Sequence, residues 1–332
     1  MMDFAQYPNM TECIIQDNVG LSDTSMASAF QGMMHLRKIC AHNSVTNLFC
    51  TYENCSNLVG PPVCGLNVVN MLRTYNGCGN LTGSPTCGDS VTDMTSTYRH
   101  CSNLTGTPVC GPNVTHMAYA YENCTNLTGS PACGEQVIYM AGAYQGCTNI
   151  TGSPVCGNNV SSFNNTYTSC SNLTGAPVCG SNAKSMAYTY YRCSNLTGSP
   201  VCGNQVTNMT YAYRDCFNIT GAPVCGPKVT NLSHTYRNCY NMHGNMYCYS
   251  TSVSNVRNCF NNRNTENMLN IYVQIGSATH STMVLSGSAS LVGTNIAYTN
   301  DYMSSGAYYN TQYNIYVYPV ANVAAARAAN GD

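Results

Sequence analysis

The chain has 332 residues with 12 Lys and Arg, 13 Asp and Glu and a net charge of −1, and only 8% of its residues are charged. A typical soluble domain has about a quarter of its residues charged, and a nucleic-acid-binding domain gathers Lys and Arg on one face. We therefore expect no nucleic-acid partner. No stretch approaches the roughly 18 apolar residues of a membrane-spanning helix, so we expect no membrane insertion.

Residues 1–54 are predicted to form an N-terminal cap of degenerate repeats. Met26, Phe30 and Met33 echo the Met, aromatic and Cys positions of the copies that follow. Atypical terminal copies close the ends of repeat proteins. The first residues have neither a basic segment nor an apolar run of signal-peptide length, so we expect no export signal there.

A 23-residue repeat runs through residues 55–260 in nine copies, followed by a degenerate last copy. A typical copy, starting at Cys193, reads CSNLTGSPVCGNQVTNMTYAYRD. Each copy has a first cysteine and, nine residues later, a second cysteine: Cys55–Cys64, Cys78–Cys87, Cys101–Cys110, Cys124–Cys133, Cys147–Cys156, Cys170–Cys179, Cys193–Cys202, Cys216–Cys225 and Cys239–Cys248. A period of this length predicts a solenoid, in which each copy buries its apolar face against its neighbours.

The positions that recur in every copy have predictable roles. The Leu or Ile after the first cysteine, the Val and Met that end the copy, and the first cysteine itself are expected inside. The recurring Gly is expected where the backbone needs a positive φ or a close approach. A Tyr stands three residues before each first cysteine, and we expect its ring to be half-buried and its hydroxyl to reach a polar partner; these are Tyr52, Tyr75, Tyr98, Tyr121, Tyr144, Tyr167, Tyr190, Tyr213 and Tyr236.

Three segments of each copy carry a family resemblance: VTNM, an aromatic residue three before Cys, and Cys-x-Asn-Leu-Thr. Over about residues 45–256 this pattern resembles the BspA-like class of leucine-rich repeats. The resemblance implies a right-handed, leucine-rich-repeat-like coil. The family's Leu-x-Leu strand is replaced here by Leu-Thr-Gly-x-Pro-Val-Cys-Gly, which predicts a short or broken central strand. Similar repeats occur in bacterial surface adhesins and in structural proteins of tailed phages.

Composition changes after the repeats, because cysteine disappears and alternating apolar runs begin. We predict a small all-β domain over residues 264–320 and an Ala-rich tail over 321–332. The domain is expected either to oligomerise or dock to a larger body, or only to cap the solenoid. The predicted strands are Met268–Ile275, Met283–Leu285, Leu291–Tyr298 and Tyr313–Val320.

The paired cysteines admit three interpretations. One disulfide within each copy would contribute roughly 2–3 kcal/mol by closing a short loop. The alternative is two columns of free, buried thiols that behave as small apolar residues, which is usual for the core cysteine of the resembling family. Metal binding is disfavoured, since the spacing is not a zinc signature and no His recurs in register. We expect no cofactor.

The variable positions are the candidate ligand contacts. We define the contact stripe as the residues two before each first cysteine, which we expect to be exposed in one row: Glu53, Asn76, Arg99, Glu122, Gln145, Thr168, Tyr191, Arg214 and Arg237. Tyr119, Tyr188 and Tyr211 form a second, sparse aromatic row. The strongest candidates are Arg99, Glu122, Tyr191, Arg214 and Arg237 with these three tyrosines. Carbohydrate contact and an ordinary solvated face remain open.

Functional classes follow from these observations. The seven His are scattered and no acid pair recurs, so we expect no enzyme. Twenty-two cysteines suit an oxidising compartment, and together with the expected lack of an export signal they favour a particle assembled inside a cell. We predict a non-enzymatic virion structural protein, a phage tail or head fibre or decoration, which presents a rigid solenoid for host-surface adhesion. Its expected partners are other virion proteins, copies of itself and a host surface molecule such as a carbohydrate. The alternative is a secreted bacterial cell-surface adhesin.

Overall fold

The structure is a computed structural model that describes residues 6–13, 25–38, 44–261, 268–274, 277–280, 301–302, 308–310 and 315–332. It has two compact units. Unit 1 comprises Met1–Val160 and Thr166–Leu173, and unit 2 comprises Ser161–Asn165 and Thr174–Asp332. The division lies inside the repeats, whereas the change in composition had suggested a boundary near residue 264.

Successive copies in unit 1 are joined by backbone hydrogen bonds. From Met71 to Gly77, every second backbone N–H donates to a carbonyl oxygen of the next copy. Met71 N lies 2.9 Å from Asp93 O, and Tyr75 N lies 2.9 Å from Thr97 O. The intervening N–H groups close turns within the copy, as Cys78 N does on Tyr75 O at 3.0 Å. Single parallel bridges mark the register: Ser25↔Asn47, Asn47↔Asn70, Asn70↔Asp93, Asp93↔His116 and His116↔Tyr139. Equivalent positions of neighbouring copies therefore lie side by side.

The recurring tyrosines of unit 1 stack into one column that begins at Phe30. Ring centroids of successive members are 5.3–5.6 Å apart, and neighbouring planes differ by at most 12°. The expected polar partner is present: Tyr75 Oη donates to Val63 O at 2.7 Å and accepts from Val63 N at 3.2 Å. The expected half-burial is wrong, because the rings of the adjacent copies cover both faces and the tyrosines are at most 1% exposed.

Unit 2 repeats the same column with different members. Tyr190, Tyr213, Tyr236 and Phe260 stack with centroid distances of 5.4, 5.7 and 5.5 Å. Its bridges, Ser162↔Ser185, Ser185↔Asn208, Asn208↔Asn231 and Asn231↔Asn255, keep the register. Phe260 thus supplies the aromatic position of the last, degenerate copy.

The apolar and glycine positions behave as predicted. Leu81, Val91 and Met94 are fully buried in unit 1. Gly106 has a φ of +82°, and a Cβ there would lie 2.3 Å from Ser84 Oγ of the preceding copy. Residues 44–243 contain isolated bridges and no strand, as the interrupted Leu-Thr-Gly-x-Pro segment predicted.

The regular elements of the described residues all lie in unit 2. They are β1 (Gly244–Tyr247), β2 (Leu269–Gln274), the helical turn α1 (Ala278–His280), β3 (Asp301–Tyr302), β4 (Tyr308–Asn310), β5 (Ile315–Val320) and α2 (Val323–Ala329). The strands form one sheet in the order β1-β2-β5-β4-β3. The β1–β2 and β2–β5 pairs are parallel, and β4 pairs antiparallel with both β5 and β3.

Two of the predicted C-terminal strands are confirmed, as β2 and β5. The predicted strands Met283–Leu285 and Leu291–Tyr298 lie outside the described residues. The sheet begins earlier than the predicted domain, since β1 belongs to the last copy with a second cysteine and Gly244 pairs with Leu269. The Ala-rich tail contains α2, which Asn322 caps by accepting from Ala325 N at 3.0 Å.

Candidate functional site

The first cysteines form a buried column of thiols. Cys78 Sγ donates to Tyr52 O, and Cys101 Sγ donates to Tyr75 O, each at 3.0 Å. Each thiol thus bonds to the copy before it rather than to the second cysteine of its own copy.

The second cysteines form a separate, mostly half-buried column. Cys87 Sγ donates to Gly88 O at 3.6 Å. The intra-copy disulfides are therefore not formed in the structure, which corrects the first interpretation for Cys55–Cys64, Cys78–Cys87, Cys101–Cys110, Cys124–Cys133, Cys147–Cys156, Cys170–Cys179, Cys193–Cys202, Cys216–Cys225 and Cys239–Cys248. The physical reason is that stacking places like cysteines together in two different columns.

Burial makes these thiols unreactive. It raises the pKa of Cys87 to about 12 and of Cys110 to about 11 from an ordinary 9.0. A protonated thiol is a poor nucleophile and a poor metal ligand. Within the described part of the chain, no group of three or more His, Cys, Asp or Glu is placed to hold a metal ion.

One sulfur pair in unit 2 differs from the rest. Cys248 Sγ donates to Cys225 Sγ at 2.8 Å, and both residues are buried. They occupy the second-cysteine position of adjacent copies and form a parallel bridge. This contact joins two copies, whereas the sequence interpretation had considered pairs within a copy.

The contact stripe of unit 1 contains polar contacts between neighbouring copies. Glu122, predicted to be exposed, is buried, and its Oε2 accepts from Arg99 Nε at 2.6 Å. Its Oε1 also accepts from Gln145 Nε2 at 3.4 Å. Opposite charges one copy apart neutralise each other, so burial replaces the predicted exposure.

A second buried carboxylate repeats this arrangement earlier in unit 1. Glu53 Oε1 accepts from Asn76 Nδ2 at 2.8 Å and pairs with Arg73 Nη2 at 2.5 Å. Its Oε2 accepts from Gln31 Nε2 at 2.8 Å. Glu53 and Asn76, also predicted to be exposed, are buried.

Tyr119 of the predicted aromatic row lies in unit 1 beside this network. It is 38% exposed, and Arg99 Cζ lies 5.7 Å from the centre of its ring. The equivalent position of the next copy is Gly142, where a Cβ would lie 2.4 Å from Tyr119 Cδ1. The ring therefore rests on a glycine and has no stacked successor.

The aromatic row continues only in unit 2, as a half-buried cluster. Tyr188 and Tyr211 stack at 4.7 Å with planes 5° apart, and Tyr211 and His234 stack at 4.5 Å. Tyr191 of the contact stripe meets the edges of Tyr188 and Tyr211 at 5.9 and 6.2 Å. His234 was not among the predicted contacts, although it stands one copy after Tyr211.

This row has an uncommon backbone conformation. Tyr188, Tyr211 and His234 have φ values of 59°, 58° and 55°. Residues other than Gly, Asn, Asp and His rarely adopt this left-handed region, and doing so costs of order 1–3 kcal/mol. The same position has a positive φ in unit 1, at Arg73, Ser96 and Tyr119 (57°, 53° and 56°) and at Gly142 (64°). The conformation therefore belongs to the repeat, and the cluster in unit 2 keeps it with large side chains.

Arginines surround the aromatic cluster. Arg214 Cζ lies 5.2 Å from the Tyr211 ring and 5.5 Å from the Tyr191 ring, and Arg192 Cζ lies 4.9 Å from the Tyr191 ring. Asp215 Oδ2 is the nearest counter-charge, at 3.5 Å from Arg214 Nε and 3.8 Å from Arg192 Nε. The rings hold the guanidinium groups in place by cation–π contact.

Several nitrogen atoms in this cluster make no hydrogen bond to the described residues. Arg214 Nε, Arg237 Nε and His234 Nδ1 are shielded from solvent, and Arg214 Nε has only the 3.5 Å ion-pair contact with Asp215. Burial, followed by the charges of Arg237, Arg214 and Arg257, lowers the pKa of His234 from its ordinary 6.5. The cluster is therefore an electropositive site with unused hydrogen-bonding capacity. Buried polar groups without partners are uncommon in native structures.

An exposed aromatic pair lies on the same two copies. Phe217 and Tyr240 are 38% and 40% exposed and stack at 5.4 Å with planes 9° apart. Each stands three residues after an arginine of the contact stripe, Arg214 or Arg237. Three residues of chain span at most about 11 Å, which bounds the distance between the Cα atoms of each ring residue and its arginine.

A separate cavity of about 450 Å³ lies in unit 2 beside β1 and α2. Asp332 Oδ2 accepts there from Tyr247 Oη at 2.6 Å and from Asn245 Nδ2 at 2.8 Å. Arg327 Nη1 donates to Tyr249 Oη at 3.2 Å. These polar groups already bond to one another, so the cavity is a weaker candidate than the arginine cluster.

Comparison with protein families finds one match, limited to a short part of the chain. Residues 143–169 and 165–192 match the model of the Kazal-type serine protease inhibitor domain. Together they cover 50 of the 332 residues, which does not place the whole chain in that family. Each segment spans slightly more than one copy. The matched family is an inhibitor domain and not an enzyme. No curated protein and no solved structure matches the chain.

Within the described residues, no helix is both long enough and apolar enough to cross a membrane.

Proposed function

We propose that the copies form a right-handed, leucine-rich-repeat-like solenoid, and that the protein is a non-enzymatic virion structural protein. In this role, as a phage tail or head fibre or decoration, it presents the repeats for adhesion to a host surface. The observation that carries the proposal is the arginine and aromatic cluster of unit 2. It departs from a scaffold whose other positions recur, and its donors are unused.

Binding suits these side chains better than catalysis. The cluster contains arginines, aromatic rings and one carboxylate, Asp215, and its nitrogen donors await an acceptor. The thiols are kept protonated by burial, which removes the cysteine side chains as nucleophiles. The proposed partners are other virion proteins, further copies of the chain and a host surface molecule.

Adhesion can be tested directly on cells. The fluorescently labelled full chain is incubated with candidate host bacteria, and retention after washing is measured by flow cytometry. We expect saturable binding that an excess of unlabelled protein displaces. Retention at the level of a labelled protein of similar size and charge would overturn the proposed adhesion.

The same surface would serve a virion or a bacterial cell, and location separates the two. Mass spectrometry of purified particles is expected to detect the protein in a fixed ratio to the capsid protein. Detection in a washed cell-surface fraction, and absence from particles, would instead support the alternative of a secreted bacterial adhesin.

A serine protease inhibitor is a second candidate, favoured by the family match to residues 143–192. Those residues follow the copy pattern here, and Cys147 Sγ donates to Tyr121 O at 2.9 Å as a core thiol. We expect no stoichiometric inhibition of trypsin-, chymotrypsin- or elastase-like proteases. Tight inhibition of one of them, lost on cleavage within the matched segment, would favour the inhibitor.

A further inference from the structure

Charge is distributed unevenly between the two units. The described residues of unit 1 carry four basic and six acidic side chains: Arg37, Lys38, Arg73 and Arg99, with Glu12, Glu53, Asp89, Asp93, Glu122 and Glu135. Those of unit 2 carry seven basic and three acidic: Lys184, Arg192, Arg214, Lys228, Arg237, Arg257 and Arg327, with Asp215, Asp301 and Asp332. An anionic ligand would therefore be attracted to unit 2.

We propose that the unit 2 cluster binds the carboxylate of an acidic saccharide through Arg214 and Arg237. The proposal rests on the adhesive function and names the chemical class of its ligand. The two arginines occupy the contact stripe of adjacent copies, and the Nε atom of each has no acceptor. A guanidinium group can hold both oxygens of a carboxylate through two of its N–H groups. Because Nε is shielded from solvent while each arginine is half-buried, the carboxylate would be held by the Nη groups at the outer end of each side chain.

The surroundings favour a single carboxylate over a dense polyanion. Asp215 Oδ2 lies 3.5 Å from Arg214 Nε and repels additional negative charge. Recurring exposed side chains on these copies are uncharged: Asn195, Thr197, Asn218 and Thr220. Amides and hydroxyls bond to sugar hydroxyls in both directions, as donors and as acceptors. Nucleic acids and polyphosphates would instead require a longer run of cations.

The exposed aromatic pair supplies a surface for the sugar ring. Phe217 and Tyr240 stand at the position after the first cysteine, where seven earlier copies carry small residues: Ser56, Gly79, Ser102, Thr125, Thr148, Ser171 and Ser194. An aromatic ring offers a broad apolar face to C–H groups. Large exposed rings at a position that is otherwise small indicate a local departure for contact, beside the arginines that would hold the carboxylate.

The test is calorimetric titration of the full chain with four probes. They are a trisaccharide ending in sialic acid, a galacturonic acid trimer, a neutral galactose trimer and inorganic sulfate. We expect one or both acidic saccharides to bind at least about tenfold more tightly than the neutral trimer and sulfate, and the tighter of the two identifies the source of the carboxylate. Equal binding of sulfate and the acidic saccharides would overturn the proposal, since no sugar would be recognised.

Matched variants locate the site. Arg214→Gln and Arg237→Gln are each expected to weaken binding about tenfold or more, and Phe217→Ser and Tyr240→Ser about threefold to tenfold. Lys228→Gln removes the same charge from an exposed lysine of unit 2 that bonds to Gln205, and should leave binding unchanged. A urea midpoint for each variant confirms folding. Unchanged binding in the arginine variants, or equal loss in Lys228→Gln, would overturn the assignment.

The outcomes separate this proposal from the adhesive function. Cell retention that Arg214→Gln abolishes, without affinity for any of the saccharides, would overturn the ligand class and leave adhesion standing. Saccharide affinity without cell retention would overturn adhesion and leave the ligand class standing.

Discussion

Units 1 and 2 have the same interior but use the same variable positions differently. In unit 1 the contact stripe is closed by buried carboxylates, with Glu122 paired to Arg99 at 2.6 Å. In unit 2 the stripe carries Arg214 and Arg237, whose Nε atoms have no acceptor. The recurring residues thus build the scaffold, and the departures from recurrence set which side chains each unit presents outside it.

Alkaline pH is expected to have the largest effect, and to affect both units alike. Cys87 in unit 1 and Cys202 in unit 2 have a pKa raised by burial to about 12, above the ordinary 9.0 of an unfolded thiol. Unfolded thiols ionise first, so the stability they contribute is complete below pH 9 and is lost as pH rises towards 12. Urea midpoints should fall between pH 9 and pH 12. Constant midpoints would contradict the two thiol columns.

Removing a ring from the tyrosine column should cost the same in both units. Tyr98→Ala and Tyr213→Ala are each expected to lose about 3–5 kcal/mol of unfolding free energy, because a fully buried ring leaves a cavity. Tyr→Phe at the same positions should cost about 1–3 kcal/mol, since the hydroxyls accept from Thr86 N and Val201 N at 3.1 and 3.0 Å. Urea unfolding measures both. A loss confined to one unit would break the claim of a shared interior.

Substitutions in the contact stripe should separate the units. Glu122→Gln is expected to cost about 1–3 kcal/mol, because buried Glu122 is the charged acceptor of Arg99. Arg214→Gln in unit 2 should cost less, about 0.5–1 kcal/mol, since its Nε makes no hydrogen bond and the loss is mainly cation–π contact with Tyr191 and Tyr211. Equal costs in urea unfolding would show that the two stripes do not differ in pairing.

A smaller effect is expected from mild oxidation, and it should be confined to unit 2. Cys225 and Cys248 form a parallel bridge, which places their Cα atoms within the range that a disulfide spans. Refolding from urea in the presence of glutathione disulfide, which gives the reagent access to the thiols, should join this pair first, with transfer of two electrons to the reagent. Peptide mapping without reduction would identify the linked fragments, and Cys248→Ser should abolish them while Cys110→Ser should not. A first disulfide within any copy would contradict the geometry.

Much of the scaffold could be predicted from the period alone. Because equivalent positions lie side by side, the burial of Leu81 and the positive φ of Gly106 followed from recurrence. Full burial of the tyrosines did not follow, since it depends on rings only 5.3–5.6 Å apart covering one another. The early start of the sheet at Gly244 was also missed, because β1 still carries the residue pattern of a copy.

The candidate site could be predicted only in part. The sequence signal that was missed is the pairing of side chains that stand one repeat period apart. Arg99 and Glu122 stand one copy apart and carry opposite charges, which indicates an ion pair between copies rather than two exposed ligand contacts. Tyr211 and His234 share that offset, as do Phe217 and Tyr240. The Nε atoms that make no hydrogen bond could not be predicted, because that depends on how each guanidinium group is oriented, as by the Tyr191 and Tyr211 rings beside Arg214.

The most direct test is to install the unit 1 arrangement in unit 2. Arg237→Glu places a carboxylate one copy after Arg214, as Glu122 stands one copy after Arg99. The new glutamate should pair with Arg214, keep the urea midpoint at or above that of the unchanged protein, and eliminate acidic-saccharide binding in calorimetry. Retention of wild-type affinity for the acidic saccharide in a folded Arg237→Glu protein would contradict the account.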